Sequence, residues 1–193
     1  MSVREVSKLL SFVLRHAPEE IGIKLNPAGW VRIDDLLAKS KKAGKRLDRA
    51  MLDEVVATSD KRRFTISEDG RFIRAAQGHS IKVELGLVPK EPPQVLFHGT
   101  AAASLDSIFA TGLEPRGRQQ VHLSMDIPTA LKVGGRHGRP VVLTVAASEM
   151  WAAGHQFWQA DNGVWLTDKV DPAFLSFDQS YDHQADEPSG PAP

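Results

Sequence analysis

Residues 63–74 read Arg63-Phe64-Thr65-Ile66-Ser67-Glu68-Asp69-Gly70-Arg71-Phe72-Ile73-Arg74. Two alternating stretches around Asp69-Gly70 predict a β-hairpin: Asp-Gly accepts the backbone angles of a tight turn, and alternation gives each strand one face to bury. Upstream, the pattern changes to helical spacing. Ser2 and Glu5 stand at capping-box distance, and Val6, Leu9, Leu10 and Val13 follow the i, i+3, i+4, i+7 rule. Pro18 disfavours helical geometry at Ala17, so this helix should end near His16. A second helix is predicted over Asp34–Lys42 with Leu36 and Leu37 inward, ending near Gly44. A third starts at Asp48, turns Met51, Leu52, Val55 and Val56 inward, and reaches about Thr58. Three short helices before a two-stranded wing describe a winged helix, a fold often used on nucleic acid but equally able to bind protein.

Gly86, Pro89, Pro92 and Pro93 crowd the next stretch, which reads as a linker. Beyond it, Val95-Leu96-Phe97 is an apolar strand running into His98-Gly99-Thr100, and Leu105, Ile108 and Phe109 mark a helix ending near Gly112. Val121–Ser124 reads as a short strand, Pro128 opens a brief helix through Leu131 and Val133, and Val141–Val145 and Val164–Leu166 are buried strands. The fold class is therefore α+β, with units at 1–90 and 91–178. The proline-containing polar tail, 179–193, is expected to be disordered. Phe64 and Phe72 should pack the wing, and the four tryptophans should serve packing rather than base stacking.

The chain has 193 residues and no cysteine, which removes disulfides, thiolate metal sites and cysteine nucleophiles. No signal-type apolar core follows the N-terminus, and no run nears the ~18 apolar residues of a membrane span. The expectation is a cytoplasmic, monomeric protein without a membrane partner. Its net charge of zero conceals a division: residues 1–90 carry 18 Lys and Arg against 12 Asp and Glu, and the remainder carries 6 against 12. A basic front half suits a polyanionic partner, although a solvated lysine-rich surface would give the same count. No Gly-x-Gly-x-x-Gly follows a strand, Gly44-Lys45 lacks a P-loop's earlier glycine, and His-Glu-x-x-His and Gly-x-Ser-x-Gly are absent. The histidines are scattered, so no metal is expected.

What remains are basic residues beside structural punctuation: Arg15-His16 at a helix end, Arg63 opening the wing, and Arg116 and Arg118 after the turn at Gly112–Pro115. A helix dipole would by itself favour cations at the first of these places. Taken with their surroundings, the strings match a known family. They are Leu9-Leu10-Ser11 through Leu14-Arg15-His16, Gly29-Trp30-Val31, Asp60–Phe64, Gln77-Gly78-His79-Ser80, His98-Gly99-Thr100, Gly112-Leu113 with Arg118–Ser124, Arg136-His137-Gly138 and Asn162–Thr167. In this order over residues 9–167 the chain resembles the RNA 2′-phosphotransferases, NAD-dependent enzymes that remove an internal 2′-phosphate from RNA.

The resemblance implies a winged-helix lobe for RNA and an ADP-ribosyltransferase-like lobe for NAD, which is consumed as co-substrate. The family's catalytic set falls on Arg15, His16, Arg63 and Arg118. Its NAD-side motifs fall on His98, Gly99, Thr100 and Ser124, with Arg136, His137 and Gly138 added. The implied products are RNA with a free 2′-hydroxyl, nicotinamide and ADP-ribose 1″,2″-cyclic phosphate. A phosphomonoester carries about −1.5 to −2 charges near neutral pH, so this nucleophile needs placement and charge compensation rather than a general base. Three arginines suit that task, since guanidinium stays charged and grips phosphate bidentately. An ADP-ribosyltransferase that caps other nucleic-acid phosphates, or a non-enzymatic winged-helix nucleic-acid binder, would share parts of this pattern.

Overall fold

The computed structural model describes residues 1–136 and 138–177. Its first element forms as its capping signals dictate. The Ser2 N–H donates to Glu5 Oε2 at 2.7 Å and the Glu5 N–H to Ser2 Oγ at 3.3 Å, closing the box that opens α1 (Val3–Arg15). Val6, Leu10, Val13 and Leu14 form its buried face. The helix stops at His16, and Pro18 opens a 3₁₀ turn, Pro18–Ile21. After β1 (Val31–Arg32) come α2 (Ile33–Lys42) and α3 (Arg49–Ala57), the latter capped by Asp48, which accepts from the Met51 N–H at 2.9 Å.

The hairpin follows as β2 (Phe64–Ile66) and β3 (Phe72–Ala75), paired antiparallel with Ile66 opposite Ile73. Its turn is fastened by the Gly70 N–H on the Ser67 carbonyl at 2.8 Å and by Asp69 Oδ1, which accepts from Ser67 Oγ and the Arg71 N–H. β1 completes the sheet on the other side of β3, in the order β1-β3-β2. A two-residue strand is too short to show alternation, which is why sequence pattern did not reveal it. Leu10, Leu14, Ile33, Leu36, Leu52 and Ile73 are fully buried together, each contributing about 1.5–3 kcal/mol of apolar burial.

Downstream the chain forms β4 (Leu96–Ala101), α4 (Leu105–Thr111), β5 (Val121–Leu123), α5 (Ile127–Gly134), β6 (Pro140–Val145), α6 (Ala147–Ala152), β7 (Phe157–Gln159), β8 (Trp165–Thr167) and β9 (Leu175–Phe177). The β4 strand runs on through His98-Gly99-Thr100 rather than ending before it. The α6, β7 and β9 elements carry only three to six residues each, too few for a clear period. The whole is α+β, as its sequence pattern predicted.

Two compact units result. The first holds Met1–Glu91 and also takes Glu114–His122 and Gln156–Lys169; the second holds Pro92–Leu113, Leu123–His155 and the chain from Val170 on. Arg118 thus belongs to the same unit as Arg15 and Arg63. In the second unit β6 lies between β4 and β9, with His98 opposite Leu143 and Leu143 opposite Phe177. α5 lies so close on β4 that a Cβ on Gly99 would stand 1.7 Å from the Ala130 carbonyl oxygen. Only glycine permits that approach. Trp165 is buried, and Trp30 is half-buried under the Arg74 guanidinium, 4.6 Å from its ring centre. The tail 179–193 and His137 lie outside the described residues. Among the described residues no helix is long and apolar enough to cross a membrane.

Candidate active site

The last residue of α1 is Arg15, and its guanidinium is largely withdrawn from solvent. Its Nη2 donates a long bond, 3.4 Å, to the Arg63 carbonyl, while Nε is buried without a hydrogen-bond partner. Gly78, at φ +90°, lays bare backbone beside this group: a Cβ there would stand 3.7 Å from Arg15 Nη1.

Arg63 arrives from a turn in which the Arg62 N–H meets the Ser59 carbonyl at 3.0 Å and Arg62 adopts φ +40°. Its closest acid is Asp60, at 3.9 Å, too long for a strong pair. Arg118 comes from a second turn of the same kind, its N–H on the Pro115 carbonyl at 3.2 Å with Arg116 at φ +54°. Its guanidinium also meets His122 Nδ1. Left-handed backbone at a non-glycine residue costs about 1 kcal/mol, so two of the three guanidinium groups are delivered by strained turns.

These cations feel one another. Burial first, then the charges of Arg63 and Arg118, push Arg15 down from 12.5 to about 10. Burial, then Arg15 and Arg118, lower His16 below the usual imidazole value. The four residues named from sequence are therefore brought together in one unit. A concentration of like charge suits an anion: a doubly charged phosphate would relieve the repulsion and accept the forked guanidinium donors.

A connecting segment that sequence reading kept out of the site holds it in shape. The Ser80 and Ile81 N–H groups both reach the Arg15 carbonyl, at 3.0 and 3.5 Å, and Ser80 Oγ lies 2.9 Å from His16 Nδ1. With Nδ1 so engaged, Nε2 is the nitrogen His16 offers to a ligand. The His79 carbonyl accepts from the Gln119 N–H at 3.2 Å, tying the segment to the Arg118 loop. His79 itself is buried, and burial, then Arg15, His16 and Arg74, push it down to about 4. It is a neutral wall behind the cations. The string Gln77–Ser80 was the only sequence signal for this strap.

The second set lies in the second unit. His98 and Thr100 alternate with Gly99 on β4, so they face away from the side on which α5 sits. Ser124 joins them through backbone: its N–H and carbonyl exchange bonds with Phe97 at 2.8 and 2.9 Å. The turn after α5, with exposed Arg136 and Gly138, is fastened to the end of β4 by the Ala102 N–H on the Arg139 carbonyl at 2.9 Å. An imidazole, two hydroxyls and a guanidinium are hydrogen-bonding groups that suit ribose and carboxamide, so this donor set is compatible with a nicotinamide nucleotide. β8, by contrast, presents no acid: its three residues are buried and Thr167 Oγ1 is spent on the Gln156 carbonyl at 2.9 Å.

An α+β protein with three arginines and a histidine clustered in one unit is the class these observations define. Comparison with known proteins is more specific. A family model described as RNA 2'-phosphotransferase, Tpt1 / KptA family, matches residues 2–169, and the chain belongs to that family. It is 61% identical over 170 residues, 88% of this chain and 91% of the relative, to a probable RNA 2'-phosphotransferase of Agrobacterium fabrum. It is 58% identical over 174 residues, 90% of this chain and 95% of the relative, to the RNA 2'-phosphotransferase of Escherichia coli K12.

Proposed function

We propose that this protein is an RNA 2′-phosphotransferase that removes an internal 2′-phosphate from RNA and uses NAD as a consumed co-substrate. The observation that carries the reading is the gathering of Arg15, Arg63, Arg118 and His16 near one another, close enough for their charges to act on each other. Family membership supplies the reaction class. NAD would supply the ribose carbon that accepts the phosphate oxygen and the neighbouring hydroxyl that later displaces the RNA.

The chain's own contribution is electrostatic. Arg15, whose packed stem fixes its plane, and Arg63 and Arg118, on rigid turns, hold the phosphate oxygens and offset charge as the phosphorus becomes crowded. These groups are organised before the substrate arrives, so little reorganisation remains to be done in the transition state. Burial, and then the charges of Arg15 and Arg118, disfavour the protonated form of His16 in the free protein. A bound dianion reverses that field, and the imidazole then takes a proton that Nε2 can deliver to the departing 2′-oxygen. His98, Thr100, Ser124 and Arg136 would hold the nucleotide. RNA contacts belong to the basic first unit, read as a winged helix.

The test mixes the protein, NAD and an RNA bearing one internal 2′-phosphate. ADP-ribose 1″,2″-cyclic phosphate and nicotinamide, formed in equal amounts with the dephosphorylated RNA, are the expected products. Phosphate-free RNA binding that is indifferent to NAD, with no nicotinamide released, would instead mark a plain nucleic-acid binder.

A further inference from the structure

Four exposed side chains of α1 and its cap, Arg4, Lys8, Phe12 and His16, recur at intervals of four residues and so form one row along the helix. At 1.5 Å per residue the row is about 18 Å long. It lines one side of a groove of ≈ 650 Å³, closed on the other side by the end of α3 and by Asp60 and Arg63. The groove therefore starts at two members of the anion site and runs back along the helix between cationic side chains.

Phe12 is the unexplained member. It stands about 200° around the helix from the buried Leu10, far from the core stripe, and 46% of it is exposed. The ring lies between Lys8 and His16, turned away from the buried stripe, and nearly half of it is left to solvent. With Lys8 and Arg4 on one side of it and His16 on the other, it has the composition of a single-stranded nucleic-acid platform: charges track the backbone while a ring stacks on a base.

We propose that this groove seats the single-stranded RNA next to the phosphorylated nucleotide, with the adjoining base stacked on Phe12 and the following phosphates met by Lys8 and Arg4. The inference rests on the proposed transfer reaction and adds the path of its RNA. About 6 Å along the helix separates successive members of the row, a spacing of the order of one nucleotide of extended strand. Paired bases could not use the platform, because their faces are already stacked.

The probe is an RNA hexanucleotide with one internal 2′-phosphate, together with two versions abasic on the 5′ or the 3′ side of that nucleotide. For Phe12→Ala, KM for the intact hexamer should rise about tenfold with kcat unchanged, the loss of one stacked base. One abasic hexamer should bind wild type and variant equally, since it has no base to stack. Lys8→Gln and Arg4→Gln should each flatten the salt dependence of hexamer binding by about 0.7 in log–log slope. An active wild type with an unaltered KM for Phe12→Ala, an equal penalty on all three oligonucleotides, or unchanged salt slopes would overturn the groove while leaving the reaction standing. A wild type that ignores the phosphorylated hexamer in the presence of NAD would overturn both.

Discussion

Replacing Arg15 by methionine should make the free protein more stable and the enzyme inactive. Arg15 is held at about 10, against 12.5 for an ordinary guanidinium, by burial and by the charges of Arg63 and Arg118. Converted to free energy, that depression is a folding cost of about 3 kcal/mol. The sign follows from the direction of the shift. A base whose folded pKa is depressed pays in full at every pH below about 10 and is relieved as pH climbs towards 12.5, so the whole cost is present at neutrality. Methionine keeps the length of the stem and its packing but removes the charge. What is lost is one 3.4 Å bond to the Arg63 carbonyl, a weak contact at that distance. A net gain of about 1–3 kcal/mol remains, or roughly 5 °C in melting temperature for a chain of this size. Inorganic phosphate should raise the wild-type melting temperature by a comparable amount when in large excess, since it neutralises the charge component, and should do much less for Arg15→Met. Calorimetric melts at pH 7 and constant ionic strength, with and without phosphate, read both effects. A variant that melts below wild type in phosphate-free buffer and gains as much from phosphate would show that the cations do not oppose one another.

Three further expectations concern separate parts of the molecule. Arg118→Ala should leave NAD affinity nearly unchanged while lowering kcat about 10²-fold, the usual cost of removing one donor to developing charge; equal losses in both would argue against a phosphate contact. Acidification from pH 6.5 to about 4 should cost wild type about 3 kcal/mol through His79, because the unfolded chain takes the proton first, and His79→Gln should flatten this part of the urea-denaturation profile. Gly99→Ala puts a methyl 1.7 Å from the Ala130 oxygen and 2.4 Å from its carbonyl carbon, so α5 must lift off β4. We expect a loss of about 3 kcal/mol or more in thermal unfolding, and a variant as stable as wild type would refute the close approach.

How much of this was legible in advance depended on how local each cause was. Ser2 with Glu5, Asp48 before Arg49 and Asp69-Gly70 act within four residues, so α1, α3 and the wing could be read from the chain and formed as read. β1 exists only because β3 offers it a partner forty residues later, and nothing in Val31-Arg32 announces that. Gly99 shows the same limit at a candidate nucleotide motif. Its string suggests ligand contact, yet what forbids a side chain there is α5, folded against it from thirty residues downstream.

The four cationic positions were nameable only through resemblance to a family, and the structure explains why spacing alone could not give them. Nothing local relates Arg15 to Arg63 or Arg118. The relation is made by residues 78–81, whose N–H groups hold the Arg15 carbonyl, whose serine engages His16 and whose histidine carbonyl takes the Gln119 N–H. That segment contains no cation and has little helical or strand pattern, so a search for charged ligands passes over it. Its glycine takes the left-handed backbone, φ +90°, that runs the segment past the guanidinium, and its buried, neutral histidine walls the site without adding a fourth fixed charge. Three mutually repelling guanidinium groups would otherwise splay into solvent, since exposed arginines lose little by separating. The positioning of charge here is thus the work of uncharged backbone, and substitutions at Gly78 or Ser80 should disable the site as thoroughly as loss of an arginine, through geometry rather than electrostatics.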